Sequence, residues 1–217
     1  MKNEFLKRII SSIILLPLVL FFVIKGSYLF NSFLIICLIL TFYEWHLMSK
    51  GRLYYLPGLV FILISFYYVY LLRNNDSGEY ILFLLILLIC TATDIGGYVF
   101  GKTFKGPKLT KISPNKTYSG MFGGFFLSVI SCSIFLNYND YYIIIESDFL
   151  SFFDFIFIIF ISFLSQLGDI IISFFKRKSK IKNTGKIIPG HGGLLDRIDG
   201  MIFAFPSTYL ILKIIYP

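Results

Sequence analysis

Three aspartates hold most of the chemistry this sequence can do. Asp169 closes a long apolar run in Ser165-Gln166-Leu167-Gly168-Asp169, and Asp196 and Asp199 stand three apart in Leu195-Asp196-Arg197-Ile198-Asp199. A carboxylate inside a membrane segment costs about 2.5–3.5 kcal/mol at mid-bilayer and usually faces a polar cavity with a function. Taken alone, Asp169 is equally well explained as an interfacial acid paired with a loop lysine. A spacing of three puts Asp196 and Asp199 on one face if a helix starts there. The three carboxylates can then converge, and such hard oxygen ligands suit Mg²⁺, which is held by one or two carboxylates plus substrate phosphates. The flanking Lys176, Arg177 and Arg197 would answer phosphate charge, and Gly192-Gly193 lets backbone N–H groups approach an anion. Each piece has a bland reading: a solvated helix turn for the aspartate pair, a topology signal for the 176–186 basic run, a loop hydrogen-bonder for His191. Their combination beside an intramembrane acid points to a metal-dependent enzyme acting on phosphate groups at a membrane surface.

The elements that must position these residues are membrane helices. Of 217 residues, 57% are hydrophobic and 15% charged, against about 45–50% and 25% in soluble domains. That balance speaks against an ordinary soluble enzyme and excludes intrinsic disorder, which needs low hydrophobicity and high charge. A spanning helix needs about 20 mostly apolar residues. Candidate spans are 8–24, 27–48, 55–72, 79–101, 118–137, 150–175 and 199–216, an all-α polytopic bundle of about seven transmembrane helices. Residues 8–24 read as a retained anchor, because no small-residue cleavage site follows them. With the N-terminus cytoplasmic, seventeen of the 20 basic residues fall on the inner side, leaving Lys25, Arg73 and Lys213. Basic residues resist translocation, so this asymmetry sets the orientation. The outer loop 138–149 carries Asp140, Glu146 and Asp148 instead.

The reading divides the chain into N-terminal helices, 1–78, and a C-terminal catalytic region, 79–217, with cytoplasmic loops 102–117 and 176–198. These loops hold 12 of the 20 basic residues. The net charge of +8 is assigned to topology and to anionic lipid or phosphate rather than nucleic acid. Cys37, Cys90 and Cys132 lie in apolar runs without pairing or metal spacing and read as buried free thiols. Asp94 reads as a carboxylate near the inner end of its span. Glu44, beside Trp45 and His46, reads as interfacial anchoring, since aromatic belts gather at that depth.

Two segments carry a family resemblance. Ser173-Phe174-Phe175-Lys176-Arg177, then Lys182, Gly185 and Ile188-Pro189-Gly190-His191-Gly192-Gly193-Leu194-Leu195-Asp196-Arg197-Ile198-Asp199, resembles the signature of phosphatidate cytidylyltransferases, or CDP-diacylglycerol synthases. Upstream, Thr93-Asp94-Ile95-Gly96-Gly97-Tyr98-Val99-Phe100-Gly101-Lys102 and Ser113-Pro114-Asn115-Lys116-Thr117-Tyr118-Ser119-Gly120 is similar to that family's other characteristic segment. The resemblance spans 93–200, and the earlier helices match only in being hydrophobic. It implies that CTP and phosphatidate give CDP-diacylglycerol and pyrophosphate with Mg²⁺, and that Asp169, Asp196 and Asp199 serve the metal. One departure is visible: the family has Lys-Asp in mid-loop, whereas here Asn183 follows Lys182. The chain is also short for the family, so one or two N-terminal spans of longer members are expected to be missing.

The expected mechanism is an in-line displacement at the α-phosphorus of CTP by a phosphatidate oxygen. Asp169, Asp196 and Asp199 would hold Mg²⁺, with room for a second, monovalent ion. Lys176, Arg177 and Arg197 would clamp phosphates. Lys102 and Lys116 would meet the triphosphate or lipid headgroup, with Ser113, Lys182, Gly192 and Gly193 completing the substrate positions. Phosphatidate is already ionised near neutral pH, so His191 is assigned to binding or orientation rather than base catalysis. The expected setting is the cell's inner (plasma) membrane, with the lipid bilayer as surroundings, a cytoplasmic site, no nucleic acid and room for a homodimer. Three rivals stand beside this reading. A CTP-dependent lipid kinase would move the γ-phosphoryl group. A transporter using Asp94 and Asp169 would place its sites near mid-membrane. A non-catalytic lipid binder would follow if Asn183 marked a decayed site.

Overall fold

A computed structural model of the full chain describes residues 2–74, 80–139, 143, 151–188, 190 and 192–215, with side chains described from residue 13 onward. The described elements are helical: α1 (Lys2–Lys25), α2 (Ser27–Ser49), α3 (Tyr55–Arg73), α4 (Tyr80–Phe104), α5 (Tyr118–Asn139), α6 (Phe152–Lys178), the one-turn α7 (Leu195–Ile198) and α8 (Met201–Ile215). Helices satisfy every backbone N–H and C=O within the segment, which lipid demands. Five of them, α2 to α6, are long and apolar enough to cross a membrane. Two shorter apolar stretches, Ile13–Lys25 and Met201–Ile215, lie where the first and last spans were expected. The chain is therefore an all-α integral membrane protein. The acidic residues Asp140, Glu146 and Asp148 of the expected outer loop lie outside the described residues.

The helices form two compact units. The first contains α1, α2, α3, the end of α6 from Phe175, and the loop through α7. The chain breaks between α1 and α2 at Gly26, whose φ of +62° favours glycine. There the buried Arg73 guanidinium closes the end of α1, its Nε donating to Val23 O at 2.6 Å and Nη2 to Ile24 O at 3.4 Å. Those carbonyls are among the four that a helix C-terminus leaves without partners. Between α2 and α3, the Trp45 indole donates to Tyr55 O at 3.0 Å, and Gly58 packs on its ring where a Cβ would collide. Trp45 is buried and meets the Phe175 ring edge-on, with centroids 5.5 Å apart.

The second unit contains α4, α5, α6 up to Phe174, and α8. Close approach of α4 and α5 rests on small residues, with Gly96 against the Gly123 carbonyl and Gly120 against Gly97 O. Small faces of this kind let membrane helices approach where a hydrophobic drive is absent. Thr93 and Ser162 hydroxyls meet at 2.6 Å, and Gln166 Nε2 donates to Met121 O at 3.3 Å. Leu85, Ile86, Ile89, Ile158, Ile161 and Ala204 fill the core, while Ile95, Tyr98, Phe122 and Ile134 face outward, the distribution that lipid surroundings permit. Cys90 and Cys132 are buried, Cys37 is half-buried, and all three are free thiols.

Candidate active site

In the first unit, the loop after α6 folds back on itself before α7. Ile188 and Gly192 exchange backbone hydrogen bonds at 2.9 and 3.1 Å, and Gly192 takes φ +92°, a left-handed conformation natural to glycine. Pro189 and His191 lie outside the described residues, so the expected role of His191 has no structural counterpart here. Beyond this turn, α7 is a single helical turn carrying Asp196, with Asp199 at its end in helical conformation. The seventh span was expected to begin at 199; a turn at Asp199-Gly200 instead separates the aspartate pair from α8.

Asp196 and Asp199 both approach Lys176. This lysine, 8% exposed, holds its Nζ 2.9 Å from Asp196 Oδ1 and 3.9 Å from Asp199 Oδ2. An ammonium so enclosed meets part of the desolvation cost of the two acids. The other Asp196 oxygen is held by the backbone: Oδ2 accepts from Thr184 N–H at 2.8 Å and Gly193 N–H at 3.0 Å. A Cβ on Gly192 would stand 2.7 Å from that same Oδ2.

The N–H groups of Gly192 and Gly193, expected to face an anion, are directed in this structure to Ile188 O and to Asp196 Oδ2. Arg177, Lys182 and Arg197 are exposed, and Arg177 Nη1 reaches Ile181 O at 3.4 Å.

A residue not among the expected site residues holds the loop in place. Glu44 of α2, read from the sequence as an interfacial anchor, is fully buried. Its Oε1 accepts from Leu194 N–H, and its Oε2 from Leu195 N–H and Thr184 Oγ1, all at 2.8 Å. Gly185 and Gly193 pack against the same carboxylate, where a Cβ would meet its oxygens. Glu44 had the signal that drew attention to Asp169, an acid within an apolar span, but its aromatic neighbours masked it.

In the second unit, Lys116 Nζ stands 2.5 Å from Asp169 Oδ2, and Ser173 Oγ donates to Asp169 Oδ1 at 3.2 Å. Lys116 is presented by an ordered loop in which Leu109 N–H donates to Lys116 O at 2.8 Å and Tyr118 N–H to Pro107 O at 3.1 Å. Ser113 closes a turn there, its carbonyl accepting from Lys116 N–H at 3.0 Å and its own N–H donating to Thr110 Oγ1 at 3.1 Å. Lys102, exposed near the end of α4, lies over the Tyr98 ring at 5.6 Å. Asp94 is exposed on α4.

Among the described residues no three His, Cys, Asp or Glu side chains gather closely enough to hold a metal ion by themselves. The chemistry of the donor set nevertheless fits Mg²⁺. Asp196 and Asp199 direct hard oxygens at one cationic point, and two carboxylates plus substrate phosphates are a usual Mg²⁺ shell.

The sequence model of the cytidylyltransferase family matches residues 53–215. A phosphatidate cytidylyltransferase of Rickettsia bellii is 34% identical over 214 residues, covering 97% of this chain and 91% of its own. The one from Rickettsia felis is 35% identical over 223 residues, covering 97% and 93%. The one from Staphylococcus haemolyticus is 34% identical over 163 residues, covering 72% of this chain and 57% of its own. With three quarters of its length inside the family match and relatives at this identity along nearly all of it, the chain belongs to the cytidylyltransferase family.

Proposed function

We propose that this chain is a phosphatidate cytidylyltransferase, converting CTP and phosphatidate to CDP-diacylglycerol and pyrophosphate in phospholipid biosynthesis. The observation that carries the reading is the similarity to proteins of that name along 97% of the chain. The enclosure of Lys176 by two aspartates adds to it, because a nucleotidyl transfer needs both cation-binding oxygens and a cation for phosphate.

In the proposed reaction a phosphatidate oxygen attacks the α-phosphorus of CTP. The new bond is a phosphoanhydride, the bond to the β-phosphate breaks, and pyrophosphate leaves with the electron pair. Asp196 and Asp199, with Asp169, are the residues proposed for Mg²⁺. When bound, Mg²⁺ would supply charge neutralisation on the phosphate oxygens. Lys176 and Lys116 are the proposed phosphate contacts, joined by the exposed Arg177, Arg197, Lys182 and Lys102. Arg suits this role through its forked donors. The basic asymmetry of the sequence supports an N-terminus in the cytoplasm and a cytoplasmic site in the plasma membrane. The same reading allows a homodimer and a second, monovalent ion.

The test is transfer of label. Purified chain in detergent, given phosphatidate, Mg²⁺ and CTP labelled at the α-phosphate, should place label in lipid, and a chelator should stop it. Label arriving only from γ-labelled CTP would replace the proposal with a lipid kinase. No label in lipid from either nucleotide would reject both enzymes.

A further inference from the structure

We propose that Glu44 is a positioning residue for the reaction. Resting on the function proposed above, the inference is that this buried carboxylate on an N-terminal helix sets the geometry in which Asp196 is presented.

Thr184 links the two carboxylates. Its Oγ1 donates to Glu44 Oε2 at 2.8 Å, and its N–H donates to Asp196 Oδ2 at 2.8 Å. Glu44 also takes the N–H groups of Leu194 and Leu195, the two residues before Asp196. Three donors from two separate stretches of the loop therefore close on one side chain. A carboxylate accepts on both oxygens and donates on neither, so it satisfies all three at once. An amide of the same shape cannot, because its NH₂ must face a donor.

Asp196 follows mechanically. With Thr184 and Gly193 fixed, their N–H groups pin Oδ2, which turns Oδ1 toward Lys176 at 2.9 Å. One oxygen is thus committed to the backbone and the other to the cation position. Loss of the Glu44 contacts frees the backbone at 184 and 194–195, and with it the aim of Oδ1. A partner of this kind behind a metal ligand is typically worth about 10–100-fold in metal affinity or activity.

The experiment compares wild type, Glu44→Gln, Thr184→Val and a control, Thr41→Val, in full-length protein in detergent. Thr41 lies one turn earlier on α2, is fully buried and bonds only back to Cys37 O within its own helix. Three readouts are taken: the Mg²⁺ concentration for half-maximal transfer, binding of Mn²⁺ with CTP followed by electron paramagnetic resonance, and hydrogen exchange at the amides of Leu194 and Leu195. Glu44→Gln is expected to raise the Mg²⁺ requirement and weaken Mn²⁺ binding by about 10-fold or more. It should also speed exchange at both amides and leave the KM for phosphatidate within about twofold of wild type. Thr184→Val should move the same quantities in the same direction by less, and it carries the test if Glu44→Gln does not fold. Thr41→Val should move none of them. An unchanged Mg²⁺ requirement in a folded, active Glu44→Gln would overturn the inference, as would an equal shift in Thr41→Val. If wild type transfers no label, the proposed function fails while the exchange and Mn²⁺ measurements still decide whether Glu44 holds the loop and its acids.

Discussion

Lys116 reaches Asp169 at 2.5 Å although both side chains keep contact with the surroundings, at 24% and 30% exposure. Partly exposed pairs contribute little to stability, about 0–1 kcal/mol, so breaking this one should cost the fold little. Lys116→Met should leave thermal unfolding in detergent within about 1 kcal/mol of wild type. It should lower kcat/KM for CTP by about 10–100-fold, the worth of a lost charged hydrogen bond. A variant that unfolds early and binds CTP normally would contradict this.

Asp196→Asn separates the two duties of that side chain. The amide oxygen can still accept from Thr184 or Gly193, but the NH₂ then faces the Lys176 ammonium, donor against donor. Transfer should fall by more than the ~10–100-fold typical of losing a ligand's supporting partner. Circular dichroism should show the helices intact. Recovery of transfer at raised Mg²⁺ would show that Asp196 acts through metal affinity alone.

Gly192→Ala should harm the site without touching any charge. At φ +92° a side chain is strained, and the added methyl would stand 2.7 Å from Asp196 Oδ2. The backbone cost is about 1–2 kcal/mol, and the larger effect should be on transfer, measured with α-labelled CTP. Activity equal to wild type would mean that the loop relaxes freely, against its paired Ile188–Gly192 bonds.

Gly96→Leu addresses the scaffold of the second unit. A Cβ there already meets the Gly123 backbone, so the helices must part. Overpacking of this kind costs about 1–3 kcal/mol. Thermal unfolding in detergent should begin at a lower temperature, whereas Ile95→Leu, on an outward-facing residue, should leave it unchanged.

The helices were legible because long apolar runs alternate with basic, glycine-rich loops; α2 and α3 each end within a residue of their expected limits. The meeting of Asp196 with Asp199 was legible because a spacing of three is a local, helical relationship. Glu44 was not legible as part of the site. Its partners lie 140 to 151 residues away, no periodicity connects them, and Trp45 and His46 beside it imitate an interfacial belt. The surroundings of Gly192 and Gly193 were not legible for a related reason. A glycine pair announces close approach, but only the folded loop shows that what approaches is Asp196.

The buried Glu44 has a consequence for how this protein can be divided. The family match begins at residue 53, so a fragment cut to that match would contain both signature segments and every proposed metal ligand. It would lack the one side chain that closes on Thr184, Leu194 and Leu195. A fragment meant to keep these contacts must therefore reach back through α2, a helix that by composition alone looks like mere membrane anchor.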